Sequence, residues 1–191
     1  MIAGKSILGI IPTRLGSKRL KNKNIREFKK KPLFIWSYLS AKKSKYIDKI
    51  LISTESKKVI NFAKPYGYKS SALRDKKLSY DHIKSEDVIL EILKKNKKFN
   101  YFILLQPTSP LRNSTDIDKS IELIVKKRKN FLVSVFGKKN KHNGAIYINK
   151  VKEFLKTKKF DLKNKIYFKM PLRKSVDIDY LKDFKKAERL F

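Results

Sequence analysis

Ile7-Leu8-Gly9-Ile10-Ile11-Pro12, continued by Thr13-Arg14-Leu15-Gly16-Ser17-Lys18-Arg19-Leu20-Lys21-Asn22-Lys23-Asn24, is the stretch on which the fold turns. The apolar run from Ile7 to Ile11 has the length and composition of a strand buried on both faces, and it ends at Pro12. One glycine, a hydroxyl and a crowd of cations follow. A buried strand that delivers such a loop to a sheet edge can hold a polyphosphate, because backbone N–H groups and Lys/Arg side chains meet several anionic oxygens there. The loop lacks the Gly-Lys-Ser/Thr ending of a Walker A loop and the three glycines of a dinucleotide fingerprint. On the bare residues, a surface loop in a lysine-rich chain remains the competing reading.

Composition narrows the classes. A chain of 191 residues with 41% hydrophobic content suits one domain, 1–191, with a sizeable core. No run approaches the roughly eighteen apolar residues of a membrane span. Lys5 interrupts the N-terminus, and the apolar run behind it is too short for a signal peptide, so a cytoplasmic protein is expected. With no cysteine there is no disulfide framework and no thiolate metal site. The formal charge is +32, yet 41 of the 49 basic residues are lysine and only 8 are arginine. Nucleic-acid readers lean on arginine for bidentate and stacking contacts. Lysine spread over every segment reads as solvated surface, which still concentrates anionic substrates. Nucleic acid and membrane are therefore not expected partners.

Hydrophobic periodicity then gives alternating strands and helices. Strands are expected at Ile7–Ile11, Ile47–Ser53, Tyr101–Leu105, Phe131–Phe136, Ala145–Ile148 and Ile166–Met170, with a short strand or an extended turn at Tyr68–Leu73. Helices are expected from Pro32 (Leu33, Trp36, Leu39), from Ser56 (Val59, Ile60, Ala63), and from Ser85 as N-cap (Val88, Ile89, Ile92, Leu93). Others should start near Ser114 or Thr115 (Ile117, Ile121, Ile124, Val125), at Val151, and from Tyr180 (Leu181, Phe184, Ala187). The alternation implies an α/β fold with a largely parallel sheet covered on both faces, whose ligands sit at the carboxyl ends of the strands. The basic loop, Ser53-Thr54-Glu55 and Gln106-Pro107-Thr108 should then share one edge.

Few residues suit chemistry. In Ser175-Val176-Asp177-Ile178-Asp179, an extended backbone puts Val176 and Ile178 on one face and both carboxylates on the other. Adjacent carboxylates repel unless a cation lies between them, and Mg²⁺ takes one or two protein carboxylates together with phosphates and water. The alternative is a helix start with Asp179 as the cap. Asn143-Gly144 reads as a turn before a strand, with Gly144 marking close backbone approach. Arg74 and Asp81 read as surface residues, and His82 and His142 do not form a metal set.

Taken together these stretches resemble one family. The carriers are Ile11-Pro12-Thr13-Arg14 with Ser17-Lys18 and Lys23-Asn24; Ser53-Thr54-Glu55; Leu73-Arg74; Leu105-Gln106-Pro107-Thr108-Ser109-Pro110-Leu111-Arg112; Asn143 to Ile148; and Ser175 to Asp179 with Asp183-Phe184. In that order the chain is similar to the acylneuraminate cytidylyltransferases, also called CMP-sialic acid synthetases. The resemblance implies a three-layer α/β/α Rossmann-like nucleotidyltransferase fold with a mostly parallel sheet. It implies transfer of CMP from CTP to an acidic nine-carbon sugar, with release of pyrophosphate and Mg²⁺ as cofactor. Arg14, Ser17 and Lys18 match the loop that holds the triphosphate, and Lys23 and Asn24 match its end. Arg74 and Ser85 match the cytidine side, Gln106 and Asn143 the sugar side, and Asp177 and Asp179 the metal carboxylates. Arg14, Lys18, Asp177 and Asp179 are the implied catalytic set.

The chain departs from the family pattern in places. Thr13 stands where alanine is usual, Glu55 where aspartate is, and Lys174 where arginine is. His82 and Lys84 fall in a segment of small residues. Between Val135 and Asn143 the family carries several tens of residues that build the dimer interface and the second subunit's sugar contacts. Here that segment is reduced to Phe136–His142, which implies intact nucleotide binding and a weakened homodimer. Two alternatives stay open: a nucleotide-binding module without turnover, and CMP transfer to a Kdo-like sugar.

Overall fold

Period-two alternation along the first strand sets up the layers. The computed structural model describes residues 1–80, 82–160 and 165–191, and Asp81 lies outside the described residues. The elements follow as β1 (Ile7–Pro12), β2 (Glu27–Phe28), β3 (Lys31–Pro32), α1 (Leu33–Lys42), β4 (Lys49–Ser53), α2 (Lys57–Ala63), α3 (Ser85–Lys94), β5 (Tyr101–Leu104), α4 (Ser114–Lys127), β6 (Phe131–Phe136), β7 (Lys141–Lys150), α5 (Val151–Thr157), β8 (Lys165–Lys169) and α6 (Leu181–Leu190). Six strands form one sheet in the order β4-β1-β5-β7-β6-β8, and β2 pairs β3 in a separate ribbon. β1 lies parallel to β4 and β5, and β6 lies parallel to β8. β7 runs antiparallel to both of its neighbours. The sheet is thus mostly parallel, as expected.

Ile7 and Ile11 of β1 join Tyr101 and Ile103 of β5 in a core shared with α1, α2 and α4. Leu8, Ile10, Phe102 and Leu104 point the other way, into a core shared with α3 and α5. Two helical layers therefore sandwich the sheet, the α/β/α arrangement the pattern called for. A third cluster packs Leu20, Phe28 and Leu33 against Val176, Ile178, Phe184 and Ala187. It draws the last fifteen or so residues back beside the loop that follows β1.

Several local expectations shift. Residues 68–73 form no strand; instead the Tyr68 hydroxyl reaches into the sheet and accepts a hydrogen bond from the Ile52 amide at 3.0 Å. Lys84 occupies the N-cap of α3 and Ser85 is its first helical residue. α4 is capped by Asn113, whose side chain accepts from the Asp116 amide while Asp116 accepts from Asn113 N–H, each at 3.0 Å. α6 is capped by Tyr180, with Asp183 accepting from the amides of Tyr180 at 2.8 Å and Asp179 at 3.1 Å. Asp179 is therefore not the cap, and its carboxylate is left for other partners. Leu181 is 45% exposed and stands outside the α6 stripe.

Asn143 and Gly144 lie within β7 rather than in a turn before it. The β6–β7 register jumps between Val133 and Val135, so Ser134 faces a bulge. Asn143 fills that bulge: it accepts from Ser134 Oγ at 2.5 Å and donates to Ser175 Oγ at 3.0 Å. Below it lies Arg112, 1% exposed. Its guanidinium donates to the Ala145 carbonyl and the Ser37 hydroxyl, both at 2.6 Å, and to the Gln106 carbonyl at 3.4 Å. Burial pushes its pKa down to about 9, opposed by nearby Asp116, so it is still a cation at neutral pH. Among the described residues no helix is long and apolar enough to cross a membrane.

Arg112 ties α1, the end of β5 and β7 together, and charged hydrogen bonds of this kind are costly to orphan. Arg112→Ala is expected to lower unfolding stability by about 3 kcal/mol, read by urea denaturation. Arg112→Lys should recover little of it, because an ammonium cannot reproduce the planar fork.

Candidate active site

The site is assembled where β1, β4 and β5 end. Thr13, fully buried just past β1, donates its amide to the Ser53 carbonyl at 2.8 Å. This bond fastens the start of the basic loop to the neighbouring strand. Asn24 closes the loop by donating from Nδ2 to the Arg14 carbonyl at 2.9 Å. Asn22 takes a left-handed conformation, φ 56°, which turns the chain into the short 3-10 segment Lys23–Ile25. That turn points Lys23 inward. Its ammonium, 9% exposed as a residue, donates to the Ile178 carbonyl at 2.7 Å and to Asp179 Oδ1 at 3.0 Å. Arg19 pairs with the other Asp179 oxygen at 3.2 Å and covers the Tyr180 ring at 5.7 Å.

A cavity of 650 Å³ opens between these parts, within the size range of small-ligand clefts. It is lined by Arg14, Ser17, Lys18, Lys23 and Asn24 from the loop, Arg74 and Ser85 beside it, Gln106 after β5, and Asp177 and Asp179. Ten of the eleven residues named from the sequence therefore face one space. Asn143 does not: at 2% exposure it is held beneath the site by Ser134 and Ser175. Gly144, next in the chain, is what approaches the cavity floor. It has φ +72°, and a Cβ there would lie 3.0 Å from Asp177 Oδ2 and 3.1 Å from Gln106 Oε1. The bulge thus presents bare backbone where any side chain would displace two cavity residues.

Charge is distributed unevenly around the cavity. Burial pushes the Asp177 carboxyl up; a Thr108 hydrogen bond pulls it back, Asp179 raises it further, Lys23 opposes, and the net shift is upward. Asp179 is already met by Lys23 and Arg19, so Asp177 is the carboxylate whose charge burial and its neighbour disfavour, and the one that a bound cation would favour. On the opposite wall, burial pushes the Arg74 pKa down, Glu55 raises it and Arg14 lowers it again, leaving it lowered overall. Glu55 feels the same burial, but the Leu15 amide, the Ser79 hydroxyl and Arg74 outweigh it and hold the carboxyl low.

Some participants carried no signal in the sequence. Leu78, Tyr80, Ile83, Val88, Ile89 and Leu104 form an apolar wall. Val88 and Ile89 are legible only as helix core, and Tyr80, 59% exposed at the mouth, only as a loop residue. Arg19 and Thr108 line the cavity too, and only the cation-rich loop and the Gln-Pro-Thr turn hinted at them.

Comparison with known proteins places this arrangement. A family model described as Cytidylyltransferase matches residues 8–185. An N-acylneuraminate cytidylyltransferase of Escherichia coli O18:K1:H7 is 31% identical over 95% of this chain and 51% of its own length. A pseudaminic acid cytidylyltransferase of Campylobacter jejuni is 34% identical over 74% of this chain and 63% of its own length. The chain thus spans between 42% and 63% of the length of these and similar curated relatives. Among solved structures, CMP:2-keto-3-deoxy-manno-octonic acid synthetase complexed with CTP superposes with a TM-score of 0.78 at 15% identity, covering 97% of this chain and 98% of that one. The 4-diphosphocytidyl-2C-methyl-D-erythritol synthase of Anaerococcus prevotii gives 0.70 at 11%, covering 98% and 96%. At such identities these structures speak for the Rossmann-like nucleotidyltransferase fold alone. With its family pattern running from the first strand into the last helix, the chain belongs to the cytidylyltransferase family.

Proposed function

We propose that the protein transfers CMP from CTP to an acidic nine-carbon sugar, a sialic acid or a related nonulosonic acid, and releases pyrophosphate. The observation that carries this reading is the single cavity in which a cationic loop faces a carboxylate pair. The sugar's anomeric hydroxyl gives up its proton to solvent as its oxygen forms a bond to the α-phosphorus. The bond from that phosphorus to the bridging oxygen of the β-phosphate breaks, and pyrophosphate departs. Charge grows on phosphate oxygens throughout, so positioning and electrostatic stabilisation dominate.

The residues divide accordingly. Arg14, Ser17, Lys18 and Lys23 bind and orient the triphosphate. Asn24 holds the loop closed through the Arg14 carbonyl. Arg74, Ser85 and the apolar wall take the cytidine. Gln106, beside Gly144 and Asp177, faces the acceptor sugar. Asn143 contributes from below, by fixing the bulge.

Mg²⁺ fits the donor set. Asp177 and Asp179 both line the cavity and offer it two carboxylates. Hard oxygens in that number suit Mg²⁺, which keeps water and phosphate as its remaining ligands. When bound, the ion supplies positive charge to the reacting phosphate oxygens. The relatives that bear on the acceptor are named for N-acylneuraminate, pseudaminic acid and N,N'-diacetyllegionaminic acid. A protein that consumes CTP works where CTP is kept, in the cytoplasm. Residues 137–140 make only a tight turn between β6 and β7, in keeping with a homodimer weaker than a longer insertion would give.

Pyrophosphate release from CTP is expected with Mg²⁺ and a nonulosonic acid, measured with a coupled phosphate assay across a panel of acidic sugars. CTP binding without turnover on the whole panel would leave a nucleotide-binding module instead. Asp177→Asn and Asp179→Asn should each lower kcat about a hundredfold or more. The raised Asp177 pKa has a sign that can be checked. Its ionised form is disfavoured in the folded state, a cost present above the folded pKa and absent below the ordinary carboxylate range. Asp177→Asn should therefore not lower the Tm of the unliganded protein at neutral pH.

Gly144→Ala should cost about 1–2 kcal/mol in stability from its left-handed backbone. It should also lower kcat, because its Cβ crowds Asp177 and Gln106. Duplex DNA is expected to bind only weakly and to be released by moderate salt, with CTP unaffected as a competitor for the cavity.

A further inference from the structure

Glu55 stands at a junction that the proposed chemistry does not use. It follows the end of β4, away from both carboxylates of the metal pair. One of its oxygens accepts from the Leu15 amide, inside the basic loop, at 2.8 Å. The other accepts from Arg74 Nη2 at 3.0 Å and from the Ser79 hydroxyl at 2.9 Å. Arg74 in turn donates to Ser79 Oγ from Nε at 3.1 Å and from Nη2 at 2.9 Å. The Arg74 amide donates to the Thr54 carbonyl at 2.7 Å, which anchors this segment to the end of β4. The side chains of Arg74 and Glu55 are 6% and 16% exposed, so water screens the pair poorly.

Three separate pieces of chain therefore converge on one carboxylate. The first is the loop after β1, which carries the phosphate-binding cations. The second is the segment that brings Arg74 and Ser79. The third is the end of β4 itself. Burial lowers the Arg74 pKa first, Glu55 opposes, and the charge of Arg14 lowers it a little further, so the two guanidinium groups feel one another. In a chain of charge +32, two guanidinium groups facing one cavity need a counter-charge before any ligand arrives. Glu55 supplies a counter-charge at Arg74, and its other oxygen is tied to the loop through the Leu15 amide.

We propose that Glu55 is a positioning residue that holds the phosphate loop and Arg74 at a set separation, so that the triphosphate and nucleoside ends of one nucleotide are bound together. The inference rests on the cytidylyltransferase reading. Glu55 touches no substrate; it acts through the Leu15 amide and the Arg74 guanidinium. Its loss should weaken nucleotide binding and leave the chemical step, which depends on Asp177 and Asp179, close to unchanged.

Calorimetric titration of CTP into wild-type protein, Glu55→Gln, Glu55→Asp and Ser79→Ala tests this. Glu55→Gln keeps an acceptor for Leu15 but removes the charge, and the Kd for CTP is expected to rise about tenfold. Glu55→Asp, which keeps the charge on a shorter arm, should recover part of that loss. Ser79→Ala, which removes the shared hydroxyl, should raise Kd about threefold. Under turnover, Glu55→Gln should raise KM for CTP with kcat within about twofold of wild type, the split a general loss of structure would not give. Wild-type affinity in Glu55→Gln, or a fall in kcat at unchanged KM, overturns the inference. Should Glu55→Gln fail to fold, unchanged affinity in Ser79→Ala overturns it. A wild-type protein that binds no CTP overturns the cytidylyltransferase reading itself, whereas wild-type binding matched by the variants overturns only the role of Glu55.

Discussion

The ammonium of Lys23 joins two stretches of chain more than 150 residues apart. It reaches from the loop after the first strand to the Ile178 carbonyl and the Asp179 carboxylate. A lysine this deeply placed is tolerated only with partners for its charge, and it has two. Behind it, Leu20, Phe28 and Leu33 pack on Val176, Ile178 and Phe184, and supply the non-directional part of the attachment. The packing brings the stretches together and the ammonium sets their register. The remaining features of the cavity depend on that contact, because without it the cationic loop and the carboxylate pair would not face each other.

Charge matters here locally more than globally. The chain carries +32, but the cavity works by placing a few cations against a few carboxylates at short range. Asp179 is shared by Lys23 and Arg19, and Glu55 is shared by Arg74, Ser79 and the Leu15 amide. Most other lysines sit on exposed faces of helices and strands, where salt screens them and they shape only the approach of anions.

Support from below is built of neutral and charged hydrogen bonds that never touch the cavity. Asn143 locks the β7 bulge through Ser134 and Ser175, and Arg112 links α1, the end of β5 and β7. Their common product is the position of Gly144, whose bare backbone lets Asp177 and Gln106 approach. Family membership and an abbreviated β6–β7 turn coexist in this chain: the turn leaves the same edge of the sheet as the cavity, beyond the bulge, and residues 137–140 do not line that cavity.

How much of this was legible in the residues follows from the range of the forces involved. Strand and helix periodicity is local, so β1, β4, β5, β6 and the faces of α1 to α4 could be read directly, and with them the α/β/α layering. Ten cavity residues could be named through the family resemblance; on the bare residues only the cationic loop and the carboxylate pair stood out, while Arg74 read as surface and Ser85 as a helix cap. Caps shifted by a residue, as at Lys84 and Asn113, because several neighbouring polar side chains compete to bond the same amides. Residues 68–73 could be read only as a short strand or an extended turn; they form no strand, and the Tyr68 hydroxyl takes the Ile52 amide instead. Asn143 was placed with the ligand by its motif and was placed under the floor by the bulge. The sequence by itself determined which residues are anionic, cationic or apolar and in what period. Only the tertiary structure decided which of them meet, because Lys23 with Asp179, Glu55 with Leu15 and Arg74, and Gly144 with Asp177 are joined by packing between distant segments rather than by spacing along the chain.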